Sequence, residues 1–131
     1  MDGLVIKPKW ADLILSGRKT WEIRSRITYK RGTIAIVKSG SGLVYGTAQL
    51  VDCIKLSSED FAKSRHKHCI PASESNLVKH YRELYAWVLE EIQVFPEPIK
   101  YNHPQGAVVW VRLPEGVNLN EYLIPNPSTG G

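Results

Sequence analysis

The sequence predicts an α+β fold, a small mixed β-barrel of five or six strands with two or three helices. Segments of β-branched or alternating apolar residues predict the strands. Short stretches with apolar residues at helical spacing lie among them without regular β-α-β alternation, which disfavours a doubly wound sheet. A length of 131 residues suits one domain with its own core. We therefore expect a single domain over residues 1–131, with a disordered tail at residues 125–131.

The first strand and the first helix are predicted within residues 4–16. Residues 4–7 are a short apolar run that ends in a Lys-Pro step, as at a strand leading into a helix. Pro8 suits the first helical turn, and Gly17 suits the position just past the helix end. Between them, the apolar residues at helical spacing are Trp10, Leu13 and Ile14.

From Thr20 the pattern changes to a period of two, which predicts a strand. Trp21 and Ile23 point to one face of this strand. The other face carries the charged side chains of Glu22, Arg24 and Arg26. Lys19 lies at the rim of this face. A purely structural junction between a helix and a strand rarely needs charges of both signs, so this stretch is the first candidate site.

Two more strands and a short helix are predicted in the middle of the chain. Residues 33–37 are continuously apolar, as in a strand buried on both faces. A Ser/Gly-rich loop at residues 38–42 suits a tight turn or the close approach of an anion. Residues 43–54 predict a strand with a bulge at Gly46. Residues 57–60 then resemble a capping box at a helix start.

The second half of the chain is predicted to contain a helix and two strands. Residues 73–83 predict the helix, because apolar residues recur at helical spacing. Residues 85–95 and 107–113 predict the strands, and residues 118–124 predict one or two helical turns. An irregular crossing between the two strands is indicated by Pro96, Pro98 and Pro104.

Positive charge is concentrated in the first third of the chain. The net charge is +4, yet residues 1–38 hold nine Lys/Arg residues against three acidic ones. This asymmetry favours a phosphate-bearing partner, although a solvated basic face is the alternative. No apolar run approaches the ~20 residues of a membrane span, and the amino terminus lacks a signal-peptide pattern. We therefore expect a cytoplasmic protein without a membrane partner.

Cysteine and histidine residues do not predict a metal site. Cys53 and Cys69 lack Cys-x-x-Cys spacing, and two reduced thiols are expected. The cluster of His66, His68 and Cys69 lacks the distant paired ligands of a structural zinc site. We expect it to be a cationic helix end or loop whose charge can contact phosphate.

Residues 17–24, Gly-Arg-Lys-Thr-Trp-Glu-Ile-Arg, resemble a known family signature. The ASCH domain family has the pattern Gly-x-Lys-x-x-Glu-x-Arg, matched here by Gly17, Lys19, Glu22 and Arg24. In a looser way the resemblance extends over residues 4–113, nearly a whole domain. It implies a PUA-like β-barrel with a charged cleft that binds RNA or nucleotides and, in some members, hydrolyses them.

The leading hypothesis is therefore an RNA- or nucleotide-binding domain. Lys19 and Arg24 would contact phosphate or carbonyl oxygens, while Glu22 orients Arg24 or accepts a hydrogen bond from a base. The structural alternative is an ion-pair girdle between helix and barrel. The residues predicted to contact nucleic acid are Lys7, Lys9, Trp10, Lys19, Arg24, Arg26, Lys38 and Ser39.

Two other hypotheses are a hydrolase and a protein-interaction module. The hydrolase would act on RNA or on a modified nucleoside, with Lys19 and Glu22 as its catalytic residues. Free lysine has a pKa near ~10.4, so a catalytic Lys19 needs burial or a nearby cation to be neutral at neutral pH. A divalent metal cofactor is expected only if the protein is a nuclease, and otherwise no cofactor is expected.

Some ASCH proteins are amidohydrolases that deacetylate N4-acetylcytidine with the signature lysine, a threonine and a distant glutamate. The resemblance aligns Lys19 with that lysine, but Glu22 stands where those enzymes have the threonine. Thr20 lies on the other side of Trp21. The candidates for the distant acid are Glu59 and Glu74.

Overall fold

The computed structural model describes residues 1–113, which form one curled sheet with three short α-helices. The six strands are β1 (Asp2–Ile6), β2 (Trp21–Arg24), β3 (Gly32–Lys38), β4 (Leu43–Leu56), β5 (Leu84–Lys100) and β6 (Trp110–Arg112). The helices are α1 (Pro8–Leu15), α2 (Ser58–Lys63) and α3 (Arg65–His68), with a 3₁₀-helix at Ala72–Leu77. The predicted α+β fold is confirmed, and its six-stranded sheet curls into a half-barrel.

The strand order across the sheet is β2-β5-β4-β3-β1-β6. The β1–β3 pair is parallel, and the other pairs are antiparallel. The long strands β4 and β5 curl because their register shifts at several bulges, one of them between Val44 and Gly46. A Cβ atom at Gly46 would lie 2.1 Å from the carbonyl oxygen of Gln93, so the predicted bulge requires glycine.

The main core lies between one face of the sheet and α1. Apolar side chains of the strands pack here against Ala11 and Ile14 of the helix; they are Leu4, Ile6, Ile34, Ile36, Leu50, Trp87 and Leu89. Each fully buried aliphatic or aromatic side chain contributes roughly 1.5–3 kcal/mol relative to an exposed one. This packing holds α1 over the sheet and thereby sets where the chain enters β2.

A second apolar cluster fixes the segment of residues 57–81 against β2 and β5. Its buried members are Trp21, Ile23, Leu56, Phe61, Ile70, Val78 and Ala86. At the start of α2, the Ser57 side chain accepts a hydrogen bond from the Asp60 backbone, and the Asp60 side chain accepts one from the Ser57 backbone. The predicted capping box is confirmed. This cluster forms one wall of the cavity described below.

The predicted helix at residues 73–83 is wrong. The chain forms a 3₁₀-helix at Ala72–Leu77, followed by turns up to β5. Leu77 is 48% exposed, whereas Val78 is only 8% exposed. Val78, Tyr81 and Leu84 pack in the second cluster at three-residue spacing, and Ser and Asn side chains compete with helical backbone bonds at the start of this segment.

The irregular crossing predicted after residue 95 is also wrong at its start, because β5 continues through Pro96 and Pro98 to Lys100. β2 pairs only with residues 85–88 of β5, so no described strand needs amide donors from the later part of that edge. Proline is tolerated there. The last strand is shorter than the predicted 107–113, and the predictions for residues 118–124 and 125–131 lie outside the described residues.

Candidate functional site

A cavity of about 260 Å³ opens between α1, β2 and residues 70–81. We call it the Lys19 pocket. Its polar lining consists of Lys7, Lys19, Glu22, Arg24 and Ser39. Its apolar lining includes Trp10, Ile70, Val78 and Tyr81. The pocket therefore combines three cations with one carboxylate beneath aromatic walls.

Lys19 reaches the pocket because α1 ends in a Schellman motif. Gly17 has φ +83°, and its N–H donates to the Ile14 carbonyl at 3.0 Å. The Arg18 N–H donates to the Leu13 carbonyl at 3.1 Å. This reversal turns the chain sharply, as the glycine at residue 17 predicted, and directs the next side chain under the helix.

The Lys19 side chain is almost completely buried, with 1% of its surface exposed. Its Nζ donates to the His68 carbonyl oxygen at 2.5 Å and lies 3.7 Å from Glu22 Oε1. It also lies 5.1 Å from the centre of the Trp10 ring. Burial lowers the pKa of Lys19 from its ordinary value, and the nearby Glu22 carboxylate opposes that shift.

Glu22 and Arg24 form an ion pair on the same face of β2, as their spacing predicted. Glu22 Oε2 accepts hydrogen bonds from Arg24 Nη2 at 2.8 Å and from Arg24 Nε at 3.2 Å. Arg24 Nη2 also donates to the Val5 carbonyl oxygen at 3.0 Å. Arg24 thereby bridges β2 to β1, and Glu22 faces cations on two sides.

His68 supports the Lys19 pocket from behind. Its ring is fully buried and stacks on Phe61 with 4.2 Å between ring centres. Nδ1 accepts from the Ile70 N–H at 2.9 Å, so Nε2 carries the proton and donates to the Phe61 carbonyl at 2.7 Å. Both ring nitrogens are thus occupied, and burial lowers the pKa of His68.

Residues 18–20 and 67–69 are joined by main-chain contacts as well. The Thr20 N–H donates to the Lys67 carbonyl at 2.9 Å, and the Cys69 thiol lies 3.4 Å from the Arg18 carbonyl. Together with the Lys19–His68 bond, these contacts make a seam between the turn after α1 and the corner after α3. No periodic pattern in the sequence indicates this seam, so the supporting role of His68 was missed.

The other residues predicted to bind nucleic acid divide into two groups. Lys7, Trp10 and Ser39 line the pocket. Lys9, Arg26 and Lys38 do not. Lys9 is paired with Glu74 and Lys38 with Asp12, while Arg26 has an exposed side chain and accepts a bond from Trp87 Nε1 only through its carbonyl oxygen. Their contacts with nucleic acid stay predictions.

The residues that an amidohydrolase would use together with Lys19 do not lie around it. Glu59 is paired with Lys63 at 2.8 Å on α2, and Glu74 is paired with Lys9. Neither carboxylate lines the pocket, and Thr20 does not line it either. Within residues 1–113, no group of three His, Cys, Asp or Glu side chains is arranged to hold a metal ion.

The fold and site define a class: a curled α+β half-barrel with a charged pocket between its first helix and second strand. The chain matches the model of the ASCH domain over residues 4–100. It therefore belongs to the ASCH domain family, as the signature at residues 17–24 indicated. No curated protein matches the chain.

Solved structures of an ASCH protein from Zymomonas mobilis have the same fold. The unsubstituted protein superposes with a TM-score of 0.68 at 19% sequence identity, covering 87% of each chain. Two single-substitution variants of it give TM-scores of 0.69 and 0.68 at the same identity. Among the described residues of the present chain, no helix is both long and apolar enough to cross a membrane.

Proposed function

We propose that this protein binds RNA or a nucleotide by taking one base into the Lys19 pocket. The observation that carries the proposal is the group of buried Lys19 and Glu22 with half-buried Arg24 in a cavity of about 260 Å³. Pockets for drug-sized ligands usually have about 300–1,000 Å³, so a cavity of this size suits a single base or nucleoside. A duplex would not enter it.

The lining matches the edge of a nucleobase. Glu22 supplies acceptor oxygens, and Lys19 and Arg24 supply donors, so a base with adjacent donor and acceptor groups can be bound on one edge. Trp10 and Tyr81 offer aromatic surface for stacking, worth about 1–3 kcal/mol per base. Lys7 and Ser39 lie at the β1 and β3 ends and are available to sugar or phosphate.

The test is a titration followed by NMR of the four tryptophan indole N–H groups. The ligands are the four uncharged nucleosides and single-stranded RNA hexamers, the latter at low and physiological salt. Trp10 should shift more than the other three indoles. Hexamer affinity should fall with salt by a slope of about 0.7 per phosphate contact.

Glu22→Gln should weaken nucleoside binding, whereas Glu59→Gln, on the exposed face of α2, should not. A hexamer affinity that does not change with salt concentration, or no binding of any ligand, would contradict the proposal. Such a result would favour the protein-interaction hypothesis.

A hydrolase acting on a modified nucleoside or on RNA is the second candidate. The observation that favours it is the nearly complete burial of Lys19, which lowers the pKa of its amine, since a lysine becomes a base or nucleophile only as the neutral amine. Two facts weaken it: the Glu22 carboxylate favours the charged form of Lys19, and the two candidate distant acids lie in ion pairs outside the pocket. Binding is therefore the better-supported function.

A further inference from the structure

A second, more open cavity of about 460 Å³ lies next to the Lys19 pocket. We call it the Arg18 groove; it is lined by Arg18, Arg65, His66, Cys69, Ile70 and Pro71. Two of these residues are arginines and none is acidic. Arginine guanidinium groups bind phosphate oxygens in bidentate geometry, so the lining has the chemistry of an anion site.

The arginines of the groove differ from most basic residues of the chain. Nine of the 17 Lys and Arg side chains of the chain are paired with carboxylates within residues 1–113, as Lys30 is with Asp2 and Lys55 is with Glu83. Within those same residues, neither Arg18 nor Arg65 has a carboxylate partner. Their charge is therefore available to an external anion.

Arg65 is held in position by the protein. Its Nη1 donates to the Ile70 carbonyl at 2.8 Å, and its guanidinium carbon lies 5.6 Å from the centre of the Phe61 ring. These contacts use one side of the Arg65 guanidinium group and leave its other N–H groups for a ligand. A guanidinium that is already oriented loses less entropy on binding phosphate than a free one.

The groove and the pocket share one lining residue. Ile70 lines both cavities. Arg18 and Lys19 are adjacent in sequence, yet Arg18 lines the groove and Lys19 lines the pocket. A ligand that occupies the pocket and continues past Ile70 therefore meets Arg18 and Arg65 next.

We propose that the Arg18 groove binds the backbone phosphate of the nucleotide next to the one whose base occupies the Lys19 pocket. The ligand is then a single strand of at least two nucleotides, not a free mononucleoside. This inference rests on the proposed function, and it assigns the contacts to Arg18 and Arg65, outside the set that the sequence predicted.

The test compares uncharged nucleosides with single-stranded trinucleotides, each titrated against wild type, Arg18→Ala and Arg65→Ala. The Arg18 side chain makes no polar contact with the described residues, so Arg18→Ala should fold normally. Each variant should weaken trinucleotide binding about three- to tenfold at low salt and reduce the salt slope by about 0.7. Nucleoside binding should not change.

Arg112→Ala is the matched control, because it removes an arginine that is 70% exposed on β6 and paired with Asp2. It should bind trinucleotides like the wild type. If Arg18→Ala leaves the trinucleotide affinity and its salt dependence unchanged, the proposed role of the groove is contradicted. If nucleoside binding is also unchanged in that variant, the proposed role of the pocket is not affected. Loss of trinucleotide binding in the arginine variants, with no nucleoside binding and no shift of Trp10, would overturn the pocket instead.

Discussion

The ammonium group of Lys19 donates a hydrogen bond to the main-chain carbonyl oxygen of His68, 49 residues further along the chain. Through this bond, the turn after α1 and the corner after α3 form one unit. The bond also keeps Lys19 buried beside Glu22, at the floor of the pocket. The site therefore depends on the fold of the segment at residues 57–81 as much as on β2.

Replacing Glu22 should destabilise the protein more than replacing Lys19. Glu22→Gln leaves two cations without their carboxylate, which we expect to lower the free energy of unfolding by on the order of 3 kcal/mol. This is the lower end of the range for a broken buried pair, because Arg24 retains some access to solvent. Lys19→Met leaves the Glu22–Arg24 pair intact and removes a desolvated ammonium group. Urea denaturation of both variants measures the two losses.

Glu59→Gln is the control for that comparison, because its pair with Lys63 is exposed and should contribute less than about 1 kcal/mol. A larger loss for Lys19→Met than for Glu22→Gln would mean that the lysine, not the carboxylate, holds the group together.

The stability should fall when the pH drops below about 6.5, in part because of His68. The pKa of His68 in the folded protein is lowered from 6.5, so the unfolded chain binds the proton more readily. The contribution of His68 is complete above pH 6.5 and is lost as the pH falls towards the folded pKa. Denaturation midpoints measured from pH 8 to pH 5 test this, and His68→Gln should flatten the dependence.

His66→Gln provides the comparison for His68, because His66 is exposed. This variant should retain the wild-type pH dependence. Equal flattening by both substitutions would show that the effect comes from the general charge of α3.

Lys19→Ala separates binding from catalysis. If Lys19 is a base or nucleophile, the substitution should abolish turnover while much ground-state binding remains. The wild-type rate should then rise with pH through the lowered pKa of Lys19, because the neutral amine is the active form. The assay follows N4-acetylcytidine and labelled RNA, with and without divalent metal.

Lys55→Ala is the control for that assay, since Lys55 is exposed and paired with Glu83. Turnover that persists in Lys19→Ala would reject the catalytic role. Absence of turnover in every sample, with affinity reduced by Lys19→Ala, would leave a binding role alone.

Gly46→Ala should destabilise the sheet by about 3 kcal/mol or more, because the new Cβ would overlap the Gln93 carbonyl in the β4–β5 bulge. Gly40→Ala has open space around it but a φ of +79°, and should cost only about 1–2 kcal/mol. Thermal denaturation measures both. Equal losses would mean that the bulge relaxes around the new Cβ atom, since Gly46 lacks the positive φ of Gly40.

The sequence predicted the elements that short-range rules govern. Apolar residues at helical spacing, Pro8 and Gly17 together defined α1, because capping and amphipathicity act within a few residues. The period of two placed Glu22 and Arg24 on one face of β2. The prediction of a helix at residues 73–83 was wrong, because the burial of Val78 against β2 and β5 prevailed there over the local spacing of apolar residues.

Which charges face the pocket was decided only by the tertiary structure. Lys9 and Lys19 both belong to the basic first third of the chain, yet Lys9 meets Glu74 on the surface while Lys19 is buried against His68. Those partners come from segments more than 40 residues away, and no local pattern reports which distant carboxylate or carbonyl an ammonium group will meet. A charge pattern thus indicates what kind of ligand a chain can bind, but packing decides which of its cations remain unpaired, since pairing depends on distances that only the folded chain defines.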